Sequence, residues 1–400
     1  MCADDLPVAE RESFRTFTRM LASLLHHRFQ DRIEALKDAY HPFNPEADTR
    51  TVVELTPEQK AAARQRLEAE LTALAEAANF IPVDLDELQQ AMDEHSLLRV
   101  RLALDTDVIE KVLLFRRGES THTRSIPILY GLRRRTVTFT NYARVLVYAV
   151  FKGEEHFEHP ERLPFRPGSM IVKLFQNVPR HDLEMVFPNV RVRMRPLDKL
   201  LIGVPAVISG ILVIATKLAA SVLLLVGLIA YLIGLREKDV DISRAALISI
   251  GAGVIAFGGY VWRQVTKFKN RKILFMKALS ENLYFRNLDN DAGVFHNLLD
   301  AAEEAEVKEA VLAYHFIRTA SAPLTAAELD RRIEESFVTR WDARFDFEIE
   351  DGLRKLREFS LVTADDEGRL TAVPLAEARR RIDQVWDELF DGGTLVDSAP

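Results

Sequence analysis

The pattern of hydrophobic and polar positions changes character several times along this chain, and each change marks a different kind of element. Phe14, Phe17, Leu21, Leu24, Leu25, Ile33 and Leu36 recur three and four residues apart, the spacing of one helix face. Pro42 and Pro45 end that helix. A second helix starts at Thr56-Pro57-Glu58-Gln59, with Thr56 suited to the N-cap, Pro57 to the first turn and Gln59 to the reciprocal capping position, and runs to about Asn79. A third is expected after Asp84, ending near His95. The pattern then turns to short runs rich in β-branched and aromatic residues: Val108–Phe115, Thr136–Thr140, Val145–Phe151 and Met170–Phe175. Gly118, Gly131, Asn141 and Gly153 punctuate them, so they predict strands of a small sheet. Residues 1–198 are therefore expected to form one N-terminal α+β cytosolic domain.

From Leu200 to Trp262 the pattern is almost continuously apolar. Its two clear pieces, Leu218–Leu235 and Ala245–Trp262, contain no charged residue. Each would make about 27 Å of helix, close to the thickness of a bilayer's hydrocarbon core. Arg191, Arg193, Arg195 and Lys199 precede the stretch, and Arg263, Lys267, Lys269, Arg271 and Lys272 follow it. Basic residues at both outer ends predict a two-span transmembrane hairpin over 199–264, in a multi-pass membrane protein with both termini cytoplasmic. Residues 200–216 are ambiguous: a third span, a re-entrant or interfacial segment, or a helix extension, with Lys217 at the boundary. Ala245, Ser249 and Gly253 form a row of small residues at four-residue spacing, a candidate seam for hairpin packing or self-association. The lipid bilayer is the partner this stretch implies.

Beyond it, residues 265–400 return to helical periods. Lys272–Phe285, Glu306–Thr319, Ala326–Phe337 and Ile349–Phe359 are successive helical patterns. A two-stranded ribbon follows, Leu361–Thr363 and Arg369–Val373 about a turn at Asp365-Asp366-Glu367-Gly368, and then a last helix, Leu375–Leu389. Three helices and a ribbon make a winged-helix-like order. Ile349–Phe359 would be the recognition helix, with Arg354, Lys355 and Arg357, but its neighbours Glu348, Glu350 and Asp351 and the wing turn are acidic. Phosphate neutralisation supplies most of the affinity of such modules, so nucleic acid is not an expected partner and a protein-interaction or packing role is.

Charge and composition add bounds. The net charge is −7, and the single cysteine, Cys2, excludes an intrachain disulfide. The motifs of phosphate-binding loops, dinucleotide folds, nucleophile elbows and zinc-protease helices are absent from the sequence. The best metal candidate is Glu154-Glu155-His156-Phe157-Glu158-His159, read as a solvated polar loop because Pro160 follows and no further ligand cluster suggests itself. His26-His27 is expected to have one ring packed and one exposed. No catalytic, cofactor-binding or metal residue is assigned, no cofactor is expected, and the enzyme question leans towards no.

Several stretches resemble a known family: HHRFQDRIEALKDAYHPFNPEADT at 26–49, LLFRRGE at 113–119, KLFQNVPRHDLEMVFPNVRVRMRPLDKL at 173–200 and ALSENLYFRNLDNDAGVFHNLLDAAEEAEVKEAVLAYHF at 278–316. Together they resemble the uncharacterised integral-membrane family that includes transmembrane protein 143, a domain of unknown function. The resemblance implies an integral membrane protein with about two spans and brings no activity or catalytic residue. It draws attention to Asn177, Pro179, Asp182 and Glu184 before the apolar stretch and to Tyr284, Asn287, Asp289, Asn290 and Gly293 after it. Structurally these predict a short capped helix over Pro179–Phe187 and a turn over Asn287–Gly293; functionally, two segments that meet. The expected function is a membrane-anchored interaction or scaffold protein with unknown protein partners. The alternatives are a subunit of an oligomeric channel or transporter and a membrane-bound metal-dependent hydrolase.

Overall fold

The computed structural model describes residues 2–45, 55–84, 101–104, 106–128, 133–163, 165–187, 190–193 and 244–389, with a few positions inside 226–234. The helix expected after Asp84, residues 200–216 and most of 218–235 lie outside the described residues.

Helix α1 spans Val8–Tyr40 and buries the apolar row read from the sequence, from Phe14 to Leu36. Helix α2 spans Pro57–Ala77, and its Thr56/Gln59 capping box is fully formed. The sheet is antiparallel in the order β1-β3-β4-β5-β7, where β1 is Ile81–Pro82, β3 Ile109–Ile128, β4 Arg133–Phe151, β5 Met170–Pro179 and β7 Asn287–Asn290. A separate ladder pairs β2, Arg101–Leu104, with β6, Val190–Arg193. Gly118 and Asn141, expected to end strands, lie within one long β3–β4 hairpin. Gly118 has φ +69°, and a Cβ there would come within 2.8 Å of the Cβ of Ala143, so glycine is required for the chain to continue.

After the apolar stretch, α3 runs Arg244–Arg286, α4 Ala292–Arg318, α5 Ala326–Trp341, α6 Ile349–Glu358 and α7 Leu375–Glu388. Strands β8, Val362–Ala364, and β9, Leu370–Ala372, form the small ribbon, and Leu324 bridges to Leu370 as its third member.

The described residues do not bear out the expected membrane hairpin. The second apolar piece, 245–262, is the first part of the 43-residue helix α3. That helix continues unbroken through Arg263, Lys267, Lys269, Arg271 and Lys272, the basic residues expected to flank a span. Among the described residues no helix is long and apolar enough to cross a membrane. The two-span hairpin in the fold class is therefore unsupported, and so is the multi-pass localisation drawn from it. The architecture described is α+β about a five-stranded antiparallel sheet.

Among the described residues, three apolar cores hold it together. The first joins the N-terminal half of α1 (Phe14, Phe17, Leu21, Leu25) to Tyr314, Leu329, Leu353, Leu356, Leu370 and Ile382. The second joins the other half of α1 (Phe29, Ile33, Leu36, Tyr40) to α2, to one face of the sheet and to Val294, Phe295 and Leu298 of α4. The third lies on the opposite sheet face, where Val145, Val147, Phe175 and Val178 meet Leu183, Val186 and Phe187. Burial on both faces explains why Val145–Phe151 reads as continuously apolar. Each of these large side chains contributes about 1.5–3 kcal/mol by leaving water.

Candidate functional site

The two segments singled out on either side of the apolar stretch come together at the β5–β7 ladder. β7 pairs with β5 at Lys173↔Asn290, Leu174↔Asp289 and Phe175↔Asn287. The expected turn over Asn287–Gly293 is thus mostly a strand, followed by Asp291 with φ 52° and ψ −129°, whose N–H donates to the carbonyl of Val172 at 2.8 Å. The Asp289 carboxylate accepts from the Asn290 N–H at 2.9 Å and from Nδ2 of Asn297 at 2.6 Å. A Cβ on Gly293 would lie 2.1 Å from Oδ1 of Asp289, so the helix start is cut to fit that carboxylate. The hydroxyl of Tyr40 donates to Oδ1 of Asp291 at 2.8 Å. On the other side of the sheet, Arg286 at the end of α3 reaches Oδ2 of buried Asp182 at 3.5 Å. Asp182 sits in a 3₁₀ segment, Arg180–Val186, where a short helix was expected.

Not every highlighted residue joins this seam. Tyr284 is exposed, its ring against that of Phe285. Asn177 is exposed and left-handed, φ 52°, within β5. The side chain of Glu184 lies outside the described residues. With both Asp289 oxygens occupied and Asp291 held by tyrosine, the seam locks the end of α3, the sheet, α1 and α4 to one another.

Two carboxylates that the sequence reading passed over face inward from α4. Oε2 of buried Glu306 is 3.0 Å from Nζ of half-buried Lys355. Glu309, 7% exposed, accepts from Nδ2 of Asn79 at 3.4 Å. Burial pushes its pKa up to about 7 against the Asn79 hydrogen bond, helped by the charges of Glu348, Asp351 and Glu306. The signal was there: Glu306 and Glu309 share the helix stripe of Ala302, Ala310 and Ala313, which is buried. Beside them, Gly352 lets α6 approach α4, since a Cβ would stand 2.9 Å from the carbonyl oxygen of Glu309.

His26 and His27 border an open groove of about 550 Å³ between α1, α4 and α7. His26 is exposed, with Nδ1 2.8 Å from Oε2 of Glu303, and half-buried His27 meets the edge of Trp386. The metal candidate is dispersed. Glu154–His156 is an exposed 3₁₀ turn, and His159 stands 3.5 Å from Glu161. Among the described residues no group of three or more His, Cys, Asp or Glu side chains is placed to hold a metal ion.

In the winged-helix-like segment the bases of α6 face acids. Arg354 is 3.0 Å from Asp351, Arg357 3.8 Å from Glu350, and Lys355 is the partner of buried Glu306. In the wing turn Oδ1 of Asp365 accepts from the N–H groups of Glu367 and Arg369.

Residues 142–293, which run from β4 through the seam to Gly293, match a family described as "Protein of unknown function (DUF3754)". This stretch is a DUF3754 domain. It contains β5, Asp182, α3, β7 and Asp289, so both halves of the seam lie inside it, while Tyr40 and Asn297 bind to it from outside. The resemblance noted in the sequence holds at this level, a domain of unknown function; nothing extends it to transmembrane protein 143 or to a membrane family. No solved structure matches the chain.

Proposed function

We propose that this protein is an interaction or scaffold protein that presents the DUF3754 helix α3 to a protein partner. One observation carries the reading. Ile248, Ile255 and Trp262, seven residues apart on α3, are each more than two-thirds exposed, and Val265, Ile273 and Leu274 extend the exposed apolar row. At about 1.5 Å per residue α3 is about 64 Å long, and its end is fixed to the body through Arg286–Asp182 and Leu283. A large exposed apolar surface on a fixed helix is the signature of a contact surface. The internal pairing of the α6 bases supports a protein rather than a nucleic acid as partner.

The test places a photo-crosslinking residue at Ile255 or Trp262 in the full chain, in its native cells, with Val147 as a buried control. Light-dependent adducts to a polypeptide at both exposed positions and not at Val147 are expected. Adducts to no polypeptide at either position would overturn the reading.

A further inference from the structure

The half of α3 that follows Trp262 differs from the half before it. Up to Trp262 the helix carries Arg244 as its one charge, and from Arg263 onward its sequence holds seven Lys and Arg against the single acid Glu281. In a chain of net charge −7 this is a local reversal of sign. Arg263, Lys267, Lys269 and Lys277 are exposed. Lys277 lies 3.6 Å from Glu281 across one turn, and among the described residues the other three have no acidic partner.

Helical spacing puts cations and apolar side chains on one stripe. Trp262, Ile273 and Tyr284 are exposed and stand eleven residues apart. At about 3.6 residues per turn, that spacing is about three turns, so the three share a face with about 16 Å between neighbours. Lys269 and Lys277 lie four residues before and after Ile273, on the same face. Arg263, Lys267 and Leu274 run along one edge of the stripe, and they too are exposed. Leu283 against the third core and Arg286 on Asp182 fix the end of the helix and leave Tyr284 between them exposed.

We propose that this stripe binds an acidic amphipathic helix of the partner protein. The inference rests on the reading of α3 above and names the chemistry of the partner. Charge supplies the first argument. The chain as a whole repels an acidic partner, and the attraction is concentrated where Arg263, Lys267 and Lys269 stand without acids of their own. The order of side chains supplies the second. A helix that lies on a bilayer keeps its apolar side chains on one face and its cations on the other. Here Lys269 and Lys277 interrupt the apolar stripe itself, which a second helix matches by setting carboxylates between its own apolar residues. Nucleic acid would meet the cations through phosphates, and Ile273 and Leu274 give its bases nothing to stack on.

The probe is a fluorescein-labelled amphipathic peptide of Glu and Leu at helical spacing, titrated with the full chain and read by fluorescence anisotropy. Saturable binding that weakens with salt is expected. Lys269→Gln/Lys277→Gln should weaken it about tenfold, because charged contacts desolvated by docking are lost. Arg15→Gln/Arg19→Gln, which removes two exposed charges from α1, should leave it within about twofold. Unfolding midpoints verify the fold of each variant, and Lys269→Glu/Lys277→Glu, with a larger loss expected, replaces the glutamine pair if that pair fails. Absence of saturable binding, equal loss from α1 and α3, or tighter binding of a single-stranded oligonucleotide or of phosphatidylcholine–phosphatidylserine vesicles overturns the proposal. In cells, polypeptide adducts at Ile255 and Trp262 that persist at full yield in the Lys269→Glu/Lys277→Glu chain would overturn the acidic partner and leave the α3 reading standing. Adducts to no polypeptide in the chain with both lysines intact would remove both.

Discussion

The hydroxyl of Tyr40 donates to the carboxylate of Asp291 at 2.8 Å, tying the last turn of the first helix to a left-handed residue 251 positions along the chain. The ring of Tyr40 also meets that of Phe295 edge-on at 5.2 Å. Tyr40→Phe keeps the ring and removes the donor. It should cost about 1.5–3 kcal/mol, the range for a hydrogen bond to a charged group, measured by urea denaturation. A change below about 0.5 kcal/mol would show that Asp291 is held without it.

Gly293→Ala tests the other half of the seam. Replacing glycine by alanine near a helix start ordinarily stabilises by up to about 1 kcal/mol. Here the methyl group would meet Oδ1 of Asp289 at 2.1 Å and displace the carboxylate that accepts from Asn297. The sign should therefore reverse, to a loss of about 2 kcal/mol. In the Asp289→Ala background the same substitution should cost much less, a coupling visible in a double-mutant cycle.

Glu309 should make stability depend on pH. Its folded pKa of about 7 lies above the ordinary 4.5, so the folded state holds this proton more tightly than the unfolded one. The stabilisation is complete below about pH 4.5 and is lost as pH rises through 7, on the order of 3 kcal/mol. Asn79, Glu348, Asp351, Glu306 and Arg117 act on the group and remain in the variant. Glu309→Gln should flatten the denaturation midpoint across that window; an unchanged slope would remove Glu309 from the account.

Lys355→Met leaves Glu306 buried without its cation. Such a break costs about 3–5 kcal/mol, whereas replacing both charges by apolar groups is often neutral. Lys355→Met/Glu306→Leu should therefore recover most of the stability that the single variant loses, by chemical denaturation.

The parts of this fold that were legible in the sequence are those with local causes. Phe14 to Leu36 wrote the buried face of α1 as a period, and Thr56 with Gln59 wrote the start of α2 as a reciprocal hydrogen bond. Gly118 and Asn141 misled because a turn residue inside a hairpin and one that ends a strand look alike; register decides, and register is a property of the partner strand. The pairing of Phe175 with Asn287 joins segments far apart in sequence, so it could bring Asp182 to Arg286 without leaving a local trace. Arg263 and Lys267 were taken as the end of a helix because charge marks a membrane edge, whereas α3 carries them in its middle.

The first core has a temporal consequence. Glu10 is paired with Arg318, 308 residues further on, and Asp5 with Arg340. At ribosomal speeds of about 5–20 residues per second, the opening helix emerges on the order of 15–60 s before the residues that will cover Phe14 and Leu21. Through that interval its greasy side is bare. Newborn chains should therefore lean on a chaperone from their first turn, and a pause in translation anywhere before α4 would lengthen the time in which they can stick to one another.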